Sequence, residues 1–209
     1  MALFGVRQVD LSSSGYDRGE SRTLAHKRNR PSVTRQTEES AVPNYLEVFE
    51  LYRNDLTGAL NQITDEEFFQ SPGGTANSTA VIMQHLTGNF ASRFTDFLTT
   101  DGEKPWRTRE AEFQAPANSR EEVMAAFESA WGTMHATVAN LSEADLQATV
   151  HIRGKPWTVD EALLRSVTHF AGHVGQVILI GKIFRGDEWE YLSIPPGGTA
   201  AYNQTPNRR

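Results

Sequence analysis

The chain contains no cysteine. That excludes disulfides, a thiolate metal site and a cysteine nucleophile, and it fits a reducing compartment. No run approaches the ~20 apolar residues of a membrane span. The N-terminus lacks the apolar core of a secretory signal. A cytoplasmic location with no membrane partner is therefore expected. A basic excess is also missing: 20 Lys and Arg stand against 26 Asp and Glu, so no nucleic-acid partner is expected. There is no P-loop, no nucleotide-binding glycine fingerprint and no His-Glu-x-x-His zincin signature. Without a Glu-x-x-His motif, a ferritin-like di-iron centre does not fit either.

What is present divides unevenly along the 209 residues. Residues 1–40 carry Arg7, Arg18, Arg22, Lys27, Arg28, Arg30 and Arg35, with few large apolar side chains and no helical or strand period. Such a segment cannot bury enough surface to offset its ordering entropy. It is expected to be a disordered extension. A targeting peptide or a basic arm would be the functional alternative, and Asp10, Asp17, Glu20, Glu38 and Glu39 count against both. Residues 41–203 are expected to form the folded domain, and 204–209 a flexible tail.

Within that domain, apolar stripes at spacings of three and four mark four long helices. The first covers roughly 43–62, with Tyr45, Val48, Phe49, Tyr52, Leu56 and Leu60. The second starts at Asn77 or Ser78 and runs to about Thr99, with Ile82, Leu86, Phe90, Phe94 and Phe97. Ser119 and Glu122 form a capping box that opens the third, which carries Val123, Phe127, Trp131, Met134 and Val138. Thr158 and Glu161 open the fourth in the same way, and it runs to about Phe184. Thr64–Glu67 and Ser142–Leu146 read as short helical turns. Residues 147–159 read as a small hairpin turning at Arg153-Gly154-Lys155-Pro156, with His151 facing solvent. Trp189, Tyr191, Leu192 and Ile194 are expected to pin the C-terminal segment. The pattern is all-α: a four-helix bundle with a small hairpin before the last long helix. The segment 100–118 is long for a connection, so it reads as a lid or as a packed crossover that lets helices two and three run parallel.

The chemistry-bearing residues cluster on two helices. His169 and His173 are four apart, hence one turn apart on one helix face. With Phe170 at the centre of the stripe, ~100° per residue puts His173 about 60° and His169 about 100° to one side. Such a pair can share a metal ion, or can be two partly buried histidines bonded to backbone or carboxylates. His85, Asn89 and Asp96 fall on one flank of the second helix. Arg93 lies nearer its buried stripe, where an isolated charge is costly. It calls for an ion pair, with Asp96, Glu110 or Glu112, or for an anionic ligand. His135 sits at the edge of the third stripe as a core-edge or metal-supporting residue. An acid or base beside a metal could come from Asn89, Arg93, Asp96, Glu110, Glu112 or His135, with Asn89 and Arg93 the leading catalytic candidates.

His85, the His169-x-x-x-His173 pair with Gly175-Gln176, and the loop Asp101-Gly102-Glu103-Lys104-Pro105-Trp106 together resemble the DinB-like (YfiT-like) superfamily, over about Tyr45 to Asn203. The resemblance implies an up-down-down-up four-helix bundle whose histidines, here His85, His169 and His173, bind a divalent metal, often zinc or nickel. Several members are transferases or isomerases that use a small thiol, which implies a low-molecular-weight thiol cosubstrate and a small-molecule substrate. A homodimer is a further expectation. Three neutral imidazoles leave an ion its full charge and an open position, as catalytic sites do. With no cysteine in the chain, a thiol nucleophile would have to be a cosubstrate. Two functions stay open: a metal-dependent thiol S-transferase or hydrolase, and a non-catalytic metal-stabilised bundle serving as a stress-associated binding module.

Overall fold

The computed structural model describes residues 41–204. The expected disordered extension over 1–40, and all but the first residue of the expected tail 204–209, lie outside the described residues. Six α-helices, three short 3-10 turns and one hairpin make up the described chain; the α-helices and strands are α1 (Ala41–Leu60), α2 (Asp65–Phe69), α3 (Thr79–Phe94), α4 (Arg120–Ala139), β1 (Thr149–Ile152), β2 (Lys155–Thr158), α5 (Val159–Arg185) and α6 (Thr199–Tyr202). The fold is mostly helical, as the stripes imply.

The start signals act locally as the residue types require. Thr64, Ser119 and Thr158 each accept a hydrogen bond from the third residue of the following helix. Glu67, Glu122 and Glu161 return the bond to the cap backbone. Two otherwise orphaned N–H groups are satisfied at each end, worth about 1 kcal/mol per cap. Ser78 caps α3 through the Val81 amide.

Each long helix sends an aromatic side chain to one shared centre. Phe49 from α1, Phe90 from α3, Phe127 and Trp131 from α4, and Phe170 from α5 are all 3% exposed or less. The Phe90 ring lies 6.1 Å from Phe49, 5.9 Å from Trp131 and 5.3 Å from Phe170, centroid to centroid. These are contact distances at which tilted and edge-to-face rings attract beyond simple burial. Leu56, Met83, Leu86, Met134 and Leu163 extend the core along the helices.

Contacts near the helix ends fix their directions. Thr137 near the end of α4 donates to the Phe94 carbonyl at the end of α3, so these two run the same way. Tyr45 near the start of α1 donates to the Asp160 carboxylate at the start of α5, while Gln62 and Glu190 bond just beyond their far ends; α1 and α5 are therefore parallel too. Arg120 at the start of α4 donates to the Leu60 carbonyl at the end of α1, making that pair antiparallel. The most extensive packing is of α3 on α4 and of α1 on α5.

Some boundaries differ from expectation. α3 stops at Phe94 rather than Thr99. Thr95 leaves the helix in an extended conformation and Asp96 takes φ 48°. The freed turn lets Phe97 fold back into the core, 5.4 Å from Phe94. The hairpin turns over two residues, Arg153 and Gly154, both at positive φ, the requirement of a tight right-twisted connection. Lys155 and Pro156 belong to β2, with Val150 opposite Trp157 and Ile152 opposite Lys155. Of the four expected pins, Trp189 is buried and Leu192 packs on the core, while Tyr191 and Ile194 are exposed. Trp189 seats directly over Gly181, where a Cβ would lie 2.6 Å from its ring.

Against the expectation of no span, one stretch among the described residues, Val159–Glu188, is long and apolar enough to cross a membrane. Its Leu163, Phe170, Val174 and Val177 are buried in the core, and a long core helix meets the same test by composition alone.

Because Phe90 touches an aromatic ring from every other long helix, Phe90→Ala is expected to cost about 3–5 kcal/mol. Thermal denaturation should show a drop on the order of 10 °C. A shift of only a degree or two would mean that the core does not depend on this cluster.

Candidate metal centre

His85 sits on α3, and His169 and His173 lie one turn apart on α5. The packing of α3 against α5 brings all three rings together. His169 Nε2 lies 3.2 Å from His85 Nε2 and 3.2 Å from His173 Nε2. One ring nitrogen from each histidine falls within 4.8 Å of the other two, so the group could hold a metal ion. His85 is buried at 4% exposure, and the other two are half-buried.

The remaining ring nitrogens are aimed outward. His85 Nδ1 is 2.8 Å from Glu112 Oε2, and His173 Nδ1 is 2.8 Å from Gln176 Oε1. With Nδ1–H donating to these oxygens, the Nε2 lone pairs turn toward the common point, as supporting partners of metal-bound imidazoles do. His169 Nδ1 is buried with no partner among the described residues.

Glu112 is itself tightly held. Arg107 donates to it twice, from Nε at 2.7 Å and from Nη2 at 2.9 Å, and donates from Nη1 to the Ser92 hydroxyl. Burial pushes the Glu112 carboxyl up, but the bonds from His85 and Arg107 outweigh it and hold the group below the usual carboxylate range. Gly88, three residues after His85, makes the approach possible: a Cβ there would lie 2.2 Å from Glu112 Oε1. Gln84, on the same helix, donates to the carbonyls of Ala111, Glu112 and Gln114, which fastens the 3-10 turn Arg109–Phe113 to α3. The segment 100–118 is thus a packed crossover that carries two residues of the centre.

A proton is a poor substitute for a cation here. Burial, followed by the nearby His173, His85, Arg165 and Arg107, pushes His169 down to about 3. Burial also lowers His173, with Gln176 opposing. At neutral pH these two rings are uncharged, and their Nε2 atoms lie 3.2 Å apart. An ion at the common point would satisfy them, so the donor set fits a divalent metal with imidazole preference.

A cleft of about 190 Å3 opens beside the histidines. His85 and His169 form one wall, next to Asn89 and Ser166. The other lining residues are all arginines: Arg93, Arg107, Arg109, Arg153 and Arg165. Asn89 and Arg93, the leading catalytic candidates, are both buried here, at 8% and 7% exposure. Arg93 does not pair with Asp96, Glu110 or Glu112. The early end of α3 turns Asp96 out to solvent, Glu110 is 90% exposed beside Arg109, and Glu112 belongs to His85 and Arg107. The carboxylate that reaches Arg93 is Glu103, at 3.5 Å, which also pairs with Arg153. His135 is exposed and lies 3.8 Å from Glu50 on α1, so it does not support the centre. His151 faces solvent as expected. Arg165 and Ser166 escaped the sequence reading. Their signal was available: Arg165 precedes His169 by four residues, one turn on the same face.

The family model described as "Protein of unknown function (DUF1572)" matches residues 37–198. No curated protein and no solved structure matches the chain significantly.

Gly88→Ala should push Glu112 off His85 and weaken divalent-metal affinity by about 10–100-fold. The same change removes a mid-helix glycine, which otherwise adds up to ~1 kcal/mol of helix stability. Competition with a chelating indicator should show the loss of affinity in variant protein that circular dichroism shows to be folded, and the melting temperature of the metal-free protein should fall as well, because the displaced carboxylate also leaves Arg107. Unchanged affinity would mean that Glu112 does not position His85.

The lowered His169 pKa gives a pH signature in metal-free protein. Between about 3 and the ordinary value of 6.5 the unfolded chain takes up a proton that the folded one refuses. Stability from this group is therefore complete above pH 6.5 and declines as the pH falls toward 3. Urea midpoints at pH 5 and pH 7 should differ more in the wild type than in His169→Gln. Equal differences would place the pH dependence elsewhere.

Proposed function

The chain belongs to the DUF1572 family, whose description assigns no function, and on that footing we propose that it is a divalent-metal-dependent enzyme acting on a small molecule, most simply a thiol S-transferase. The observation that carries this is the convergence of three histidine rings, two of which, His85 and His169, line a cleft. A four-helix bundle of the DinB-like kind, up-down-down-up, is part of the same reading. It is supported by α1 and α5 running parallel, by α3 and α4 running parallel, and by α4 running antiparallel to α1.

His85, His169 and His173 would hold the ion, with zinc or nickel suited to three imidazoles. Bound there, the ion would supply Lewis acidity and lower the pKa of a thiol or water ligand. The chain's own residues divide the remaining work. Glu112 and Gln176 keep the His85 and His173 rings in the tautomer that presents Nε2. Asn89 offers an amide at the cleft wall to orient a substrate. The arginines stabilise negative charge.

Metal binding would ionise either a thiol or a water, so hydrolysis stays a variant of the same reading. In the thiol reaction the cosubstrate would lose its proton to solvent. Its sulfur would form a bond to an electrophilic carbon of the second substrate, and the leaving group would depart with the electron pair. The cysteine-free chain makes that thiol an external one.

Metal analysis comes first, then a transfer screen. Purified protein should contain about one divalent ion per chain, and chelator should lower its melting temperature, by an amount set by the metal's excess over its Kd. His173→Ala should show little response to chelator. The loaded wild type should consume small thiols in the presence of an electrophilic acceptor, and His173→Ala should not. A metal-loaded protein that turns over no thiol with any acceptor would leave the non-catalytic, metal-stabilised reading standing instead.

A further inference from the structure

The cleft beside the histidines holds a concentration of guanidiniums that the metal centre does not explain. They come from four separate segments: Arg93 from α3, Arg107 and Arg109 from the crossover, Arg153 from the hairpin turn, and Arg165 from α5. Like charges gathered this way repel one another, and burial adds a desolvation cost. The strain is visible at Arg93. Burial, with Glu103 opposing and with Arg107, Arg165 and Arg153 adding to it, brings this side chain down to about 10.

The carboxylates on hand answer this charge only in part: Asp101 feels Arg93, but its oxygens accept from the backbone N–H groups of Glu103, Arg153 and Gly154. Glu112 is taken up by Arg107 and His85. Glu103 is spread over Arg93, Arg107 and Arg153, at 3.5, 3.8 and 3.2 Å. Glu110 reaches only Arg109 and is almost fully in solvent. Two cationic groups are left over. Arg93 Nη1 is buried and has no hydrogen-bond partner among the described residues, although the side chain is more than nine-tenths buried and lines the cleft. Gly102 backs it, where a Cβ would lie 3.1 Å from that nitrogen. Arg165 lies over the Trp157 ring at 5.8 Å and makes no ion pair among the described residues.

We propose that this cleft binds the phosphate group of a phosphorylated small-molecule substrate, gripped between Arg93 and Arg165 and held next to the three histidines. The inference rests on the cleft being the substrate site of the proposed enzyme, and it names the class of substrate. A planar carboxylate is satisfied by one guanidinium fork in its own plane. The two guanidiniums left over reach the cleft from separate helices, α3 and α5, and such a pair suits a tetrahedral dianion better, because its oxygens point in several directions. The polar walls and small volume suit a head group rather than an extended apolar chain. Fixing the phosphate at the arginine end would place the rest of the substrate against Asn89, His85 and His169.

The test is titration of inorganic phosphate into the full-length protein by calorimetry, with the metal content of each sample measured beforehand. Wild type is expected to bind phosphate. Arg165→Gln, a change at an exposed residue, is expected to weaken it by about tenfold or more while keeping wild-type metal content. Lys182→Gln removes the same charge from the far end of α5 and should leave binding unchanged. Succinate is expected to bind more weakly than phosphate. Absence of phosphate binding to wild type, equal binding by Arg165→Gln, or equal weakening by Lys182→Gln would overturn the proposal. Tighter binding of succinate would overturn the phosphate assignment in favour of a dicarboxylate. Phosphate binding that needs Arg165 in protein that takes up no metal would support this inference and remove the metal-enzyme reading, so the two can fail separately.

Discussion

The Glu112 carboxylate is the contact on which the centre depends. Its two oxygens meet His85, on α3, and Arg107, which reaches Ser92 on the same helix. A single side chain thus aligns an imidazole, ties the crossover to α3 and neutralises one of the cleft's guanidiniums. Removing Glu112 or Arg107 would leave the other's buried charge without its complement, which costs more than the pair contributes. Glycine at position 88 is the backbone condition for the contact, since any Cβ would occupy the place of the carboxylate.

That contact also explains how an aromatic core and a polar site share one helix. α3 presents Leu86, Phe90 and Phe94 to the centre and His85, Asn89 and Arg93 to the cleft. Steps of four residues keep each series on its own face. The core positions the helices, and the crossover then supplies what the helices lack: an acceptor for His85 and counter-charges for the arginines. The polar face is incompletely compensated, with His169 Nδ1 and Arg93 Nη1 both buried and without a partner among the described residues. Buried polar atoms without partners are rare where nothing else is bound. Arg93 Nη1 lies in the arginine cleft, where an anionic substrate would meet it.

Local chemistry made much of this legible beforehand. Helical stripes placed the four long helices to within a few residues, because burial of one face imposes a 3.6-residue period. Caps were readable because a hydroxyl three residues before a glutamate can satisfy two backbone donors at once. The His-x-x-x-His spacing brought His169 and His173 to one face of a helix, and His85 joined them through resemblance. Their outward partners were half readable: Gln176 is three residues from His173, within one turn.

The rest hung on contacts between distant segments, which no local period encodes. Glu112 stands 27 residues from His85, and only the folding of the crossover over Gly88 brings them together. The pairing of Arg93 with Glu103 rather than Asp96 follows from the early end of α3, where Phe97 packs on Phe94 and Asp96 turns to solvent. Arg165 carries only its place one turn before His169, and Arg153 carries no marker, since an arginine on a helix face or in a hairpin turn is ordinarily a solvated charge. They become part of a site only because α3, α5, the hairpin and the crossover converge there. Periodicity and capping are properties of neighbours in the chain, and they determine helices and faces. The charge of the cleft is a sum over segments far apart in sequence, and it exists only once packing has set their distances.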